Sequence, residues 1–140
     1  MGTITTYMGH RFDPVNPQME TLDIRDIAHA LSLTCRGNGH VKQFYSVGQH
    51  CIMCAKEAAA RGHSKRVILA CLLHDASEAY LSDVTRPVKE ELPQYKLIEE
   101  PLYTPKAPSG KINSLHKRTP FFLISLLYHY FDISCIKCIL

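Results

Sequence analysis

In "CLLHDASEAYLSD", residues 71 to 83, a block of apolar side chains runs straight into His74, Asp75, Glu78 and Asp83. A further histidine, His50, stands upstream at the start of another helical pattern. A buried charge is costly unless it is paired or holds a metal, so these groups need a compensating partner. Imidazole with carboxylate suits Mn, Fe, Co, Ni or Zn rather than a thiolate-type structural zinc site. A cation held by such a set offsets the carboxylate charge and acidifies water, which is hydrolytic chemistry. A lone His-Asp doublet reads more simply as a core histidine paired with its neighbour. The extra acids and the second histidine favour the metal.

The elements that must position these residues are helical. Ile24, Ile27, Ala28, Leu31 and Cys35 repeat at helical spacing, predicting a first helix from about Leu22 to Cys35. Asp23 with Asp26 three residues on is a variant capping box, and Gly37 is available for a left-handed C-cap. Ser46-x-x-Gln49 is a full capping box that sets His50 in the first turns of a second helix ending at Gly62. A third helix is expected from about Ser64 to Tyr80, apolar on every side from Val67 to Leu73 and so a core helix. Spacings of three and four would bring Asp75, His74 and Glu78 to one side of it. "LSDVTRPVK" reads as a loop closed by Pro87, and "EELPQYKLIEE" as the start of a fourth helix. Thr3 to Met8 is β-prone and "FDPVNPQ" turns, which predicts a small N-terminal hairpin or an extended arm. The fold class expected is therefore all-α, a helical bundle with that hairpin at one side.

The 140 residues fit one domain, and 46% apolar with 21% charged is an ordinary globular balance. A net charge of +3 in short basic clusters argues against a nucleic-acid surface. Of six cysteines, Cys51/Cys54 and Cys135/Cys138 form C-x-x-C pairs, but most of the chain separates them, unlike a zinc ribbon. Cys35 and Cys71 fall in apolar helical stretches, where Cys acts as a small hydrophobe. Without a basic segment and apolar run at "MGTITTYMGH", the expectation is a cytoplasmic chain with reduced thiols. From Pro101 the composition changes to a linker, "PLYTPKAPSGK", and then to the apolar "FFLISLLYHYFDISCIKCIL". His129, Asp132 and Lys137 interrupt that segment, so a core helix or terminal segment is preferred to a membrane anchor over 121–140. The domain expectation is residues 1–100 as the helical unit and 101–140 as a divergent tail.

"FYSVGQHC" followed by "LACLLHDASEAYLSDVTRPVK" resembles the HD-domain metal-dependent phosphohydrolases, most closely the branch of bacterial 5′-deoxynucleotidases and their phage relatives. The likeness covers roughly residues 5 to 100, and the extended H-D-A-S-E-x-x-x-x-D-x-x-x-P-V-K run makes it specific. It implies an HD-like bundle and hydrolysis of a phosphate monoester, a nucleoside 5′-monophosphate above all. It implies one divalent ion (Mn, Co, Fe, Ni, Zn or Mg) on His50, His74 and Asp75. Glu78 would orient or activate the attacking water, Asp83 would stand near substrate as a candidate general acid, and Arg36 would grip the phosphate. Relatives of this kind commonly form homodimers.

The likeness breaks downstream. The family's fourth ligand is an Asp on a later helix in a Lys-x-x-Asp-like context, and after Glu100 only Asp132 is acidic, in an unrelated context. Gln49 stands where many relatives carry Glu. The expectation is a truncated or frame-altered copy with weakened metal binding. Two other classes compete with the enzyme: a catalytically inactive nucleotide-binding or regulatory module, and a membrane-attached protein anchored by 121–140.

Overall fold

The computed structural model describes residues 2–103. The linker composition after Tyr103, the apolar segment 121–140, Asp132 and the Cys135/Cys138 pair all lie outside the described residues.

Two short antiparallel strands, β1 (Ile4–Thr5) and β2 (Arg11–Phe12), form the N-terminal hairpin with Ile4 opposite Phe12. Gly9, at φ 85°, closes its turn in a left-handed conformation. Phe12 is fully buried and stacks on Tyr80 at 4.1 Å between ring centroids, which fixes the hairpin to the helices. Over the described residues the fold is all-α with this small hairpin.

Helix α1 (Ile24–Leu33) is capped by Asp23, whose side chain accepts the N–H of Arg25. The expected pairing with Asp26 does not form. Asp26 is buried and accepts the N–H of Met8, so it ties the hairpin to α1 instead. The helix also stops short of Cys35. Thr34 ends it, and Cys35 lies extended in an isolated bridge to Ser46. Gly37 does adopt φ 61°, but inside a separate turn, Arg36–Gly39, rather than as the cap of α1.

Helix α2 (Val47–Ala60) starts at the expected capping box: the Ser46 side chain accepts the Gln49 N–H, and Gln49 Oε1 accepts the Ser46 N–H. Gly48 lets this end of α2 approach α1, since a Cβ there would meet the Leu31 carbonyl group at 3.3 Å. Helix α3 (Lys65–Leu73) packs antiparallel-fashion beside α2 through a core of Ile27, Leu31, Val47, Cys51, Leu69, Leu73 and Ala76.

The third helix is not continuous to Tyr80. It ends at Leu73, with His74 as its C-cap, and residues 74–77 form tight turns before α4 (Glu78–Leu81). The bonds Ala76 N–H to Leu73 O and Glu78 N–H to Asp75 O are of the i, i+3 type, which tightens the chain and aligns Asp75 with Glu78. The following segment is not all loop either: α5 (Arg86–Glu90) has Pro87 in its first turn. Helix α6 (Pro93–Tyr103) runs through Pro101 and past the compositional break, with Leu102 buried. Among the described residues, no helix is long and apolar enough to cross a membrane.

Candidate metal centre

His50 comes from the first turns of α2, and His74 and Asp75 from the end of α3, so helix pairing across the core brings the three together. His50 Nε2 stands 3.2 Å from His74 Nε2 and 3.7 Å from Asp75 Oδ2, and the last two atoms are 3.2 Å apart. Three atoms so spaced share a point roughly 2.0–2.2 Å from each, the range of metal–nitrogen and metal–oxygen bonds. His74 also donates from Nδ1 to the Cys71 carbonyl at 2.7 Å, the contact that fixes an imidazole to present Nε2 to a metal.

The surroundings fit a cation as well. Asp75 Oδ2 and Glu78 Oε2 are buried and accept no hydrogen bond, although Arg36 Nη1 stands 3.3 and 3.6 Å from them. Charge without hydrogen-bond partners in a dry setting is what a metal compensates. The described residues contain two sets of side chains able to hold a metal ion, one of His50, Cys54 and His74 and one of Cys51, His74 and Asp75. Side chains at this place could thus hold a metal ion.

Titration behaviour follows from this crowding. Asp75, helped by Cys51, holds the His74 imidazolium well above its ordinary range. Burial pushes Asp75 up, but His74, Arg36 and His50 outweigh it and keep the carboxylate below its usual value. Burial, then the Arg36 charge, pushes His50 down. Burial, then Asp75 and Asp83, pushes Glu78 up to about 7.

Arg36 and Asp83 form the second part of the site. Asp83 Oδ2 accepts from Arg36 Nη1 at 2.8 Å and from the Gly37 N–H at 2.7 Å. The left-handed run Gly37, Asn38 and Gly39 bends the chain so that this N–H faces Asp83. Arg36 therefore binds three carboxylates at once, which sequence spacing did not indicate. All six predicted site residues, Arg36, His50, His74, Asp75, Glu78 and Asp83, gather in one cluster.

Other residues there were not foreseen. Cys54 Sγ is 3.7 Å from His50 Nε2, and the i, i+4 spacing of the two was the signal for it. Lys89 lies 3.5 Å from Glu78 Oε1 and 3.4 Å from Glu99 Oε1. Ser77, Glu99 and Tyr103 brace the turn from behind: Ser77 Oγ is 2.8 Å from Tyr103 Oη and 3.1 Å from Glu99 Oε1. His29 stacks on Tyr7 and takes no part.

With this geometry, two relatives can be set beside the chain. It is 39% identical over 102 residues to the uncharacterized protein YfdR of Escherichia coli K12, covering 71% of this chain and 53% of that protein. It is 41% identical over 86 residues to the uncharacterized protein RCAP_rcc00048 of Rhodobacter capsulatus, covering 58% and 43%. The chain spans about half the length of the curated relatives it matches. No protein-family model matches it.

Proposed function

We propose that the protein is a metal-dependent phosphohydrolase of the HD type acting on phosphate monoesters, with nucleoside 5′-monophosphates as the substrate class. The observation that carries this reading is the triangle of His50 Nε2, His74 Nε2 and Asp75 Oδ2, with edges of 3.2 to 3.7 Å beside buried carboxylate oxygens that lack hydrogen bonds. A divalent cation held there would supply positive charge to the phosphoryl oxygens and acidify water. Three protein ligands suffice for a catalytic ion and leave a position open.

The chain's own residues supply the remaining requirements. Glu78, pushed up to about 7, can hold or release a proton near neutral pH, which suits it to general acid–base work on the attacking water or the leaving oxygen. Arg36 is partly exposed and has five N–H donors, so the part of its fork not facing Asp83 can meet a phosphate. Asp83, expected as the general acid, is engaged with Arg36 and Gly37, and its place in this reading is to aim the guanidinium. The four described cysteines are free thiols, in keeping with a cytoplasmic setting.

The test is release of phosphate from deoxynucleoside monophosphates by the full chain after removal and return of divalent ions. Metal-stimulated release that is lost in Asp75→Ala supports the reading. Nucleotide binding without release in either protein would identify an inactive binding module instead.

A further inference from the structure

We propose that Cys54 joins His50 and His74 as a protein ligand at this centre, giving a two-imidazole, one-thiolate set tuned to zinc or cobalt(II) rather than magnesium or manganese. The inference rests on the hydrolase reading above and assigns the class of its cation. Cys54 follows His50 by one helical turn, so α2 presents both toward the end of α3. Its Sγ lies beside the His50 ring, 3.7 Å from Nε2 and 3.9 Å from Nδ1, one side-chain rotation from the Nε2 that stands 3.2 Å from His74 Nε2. The ligand atoms of His50, Cys54 and His74 all lie within 4.8 Å of one another. Around a tetrahedral zinc with bonds of about 2.3 Å to sulfur and 2.0–2.1 Å to nitrogen, sulfur and nitrogen are roughly 3.5–3.6 Å apart.

Charge points the same way. Cys54 would bind as thiolate and bring one negative charge to the cation, its proton passing to solvent as the sulfur–metal bond forms. The buried oxygens of Asp75 and Glu78 that accept no hydrogen bond mark the same spot independently of the sulfur. Cys51, the other thiol of the C-x-x-C pair, also approaches His74 and Asp75. It is part of the apolar core with Ile27, Leu31, Val47 and Leu69. Thiolate shifts preference toward softer, borderline ions, which magnesium and manganese are not.

Cobalt(II) titration of the full chain tests this without reference to turnover. The expected result is a thiolate-to-cobalt charge-transfer band in the near ultraviolet, present in the wild type and in Cys51→Ala, absent in Cys54→Ala and Cys54→Ser. Zinc affinity by competition should fall more than ~10-fold in Cys54→Ala, beyond the least effect of losing an outer partner, while magnesium affinity stays unchanged. Cobalt bound without that band, or a band that survives Cys54→Ser, overturns the assignment. If phosphate release persists in that case, the hydrolase reading stands and only the thiolate ligand falls. Failure to bind cobalt at all overturns both. The Ser variant keeps the size of the side chain, so loss of folding in the Ala variant does not spoil the comparison.

Discussion

Tyr103 donates its hydroxyl hydrogen to the backbone carbonyl of His74 at 2.8 Å, joining the last turn of α6 to the residue that closes α3. Ser77 reaches the same hydroxyl oxygen at 2.8 Å, so one phenol braces both ends of the turn that carries Asp75. Burial pushes the Tyr103 hydroxyl up to about 12, and it stays protonated as a donor throughout the working range. Tyr103→Phe removes that donor. The expected cost is about 1 kcal/mol of stability, read as a lower urea midpoint. Metal affinity should fall with it, because the turn loses its brace.

Binding of the cation should be proton-linked. His74, held protonated by Asp75, must give up its Nε2 proton before that nitrogen can bind a metal. His74 alone is therefore expected to make affinity rise with pH by up to ~10-fold per unit across the neutral range, with any thiolate ligand adding to that slope. Calorimetry in buffers of different ionisation enthalpy would show protons released on binding. A pH-independent affinity would contradict the ligand role of His74.

Glu78 should leave its own mark on stability. Its carboxyl is raised from 4.5 to about 7, so the folded state holds the proton more tightly than the unfolded chain. That contribution is fully present below about 4.5 and is lost as pH rises through about 7. Glu78→Gln is uncharged at every pH and escapes the loss. In the metal-free protein the variant should gain roughly 1–3 kcal/mol over wild type across that window, measured by denaturant unfolding at several pH values.

Ser82 precedes Asp83 with φ 69° and ψ 161°, a conformation nearly reserved for glycine. Such a residue costs of order 1–3 kcal/mol. Ser82→Gly relieves it, and after the larger chain entropy of glycine a net gain of about 1 kcal/mol is expected in thermal unfolding. An unchanged or lower midpoint would show that the backbone there is not strained.

The Asp23 cap offers a simpler check. Its side chain accepts the Arg25 N–H at 2.8 Å at the start of α1. Asp23→Ala should cost about 1 kcal/mol, whereas Asp26→Ala should act differently, by freeing the hairpin bond from Met8. Hydrogen exchange at Met8 separates the two.

Local chemistry was legible in the residues themselves. The Ser46 and Gln49 box, the apolar run of α3 and the hairpin depend on side-chain type and short spacing, which a linear reading contains, while the trio His50, His74 and Asp75 came from the family resemblance of the stretches around it. The break at His74 was not legible. Helical periodicity continues to Tyr80, while the chain leaves the helix because its turn is held from outside by Tyr103, 29 residues away. Asp26 looked like part of a cap and became a tether, since the approach of the hairpin decides which N–H it meets. Likewise Arg36 and Asp83, 47 residues apart, pair only because α1, α2 and α4 pack around one core. The sequence by itself determined which groups could bind a cation and which segments could be helical, because those are properties of residue type and period. Only the tertiary structure decided where helices stop and which distant charges meet, because these depend on contacts that no local spacing encodes.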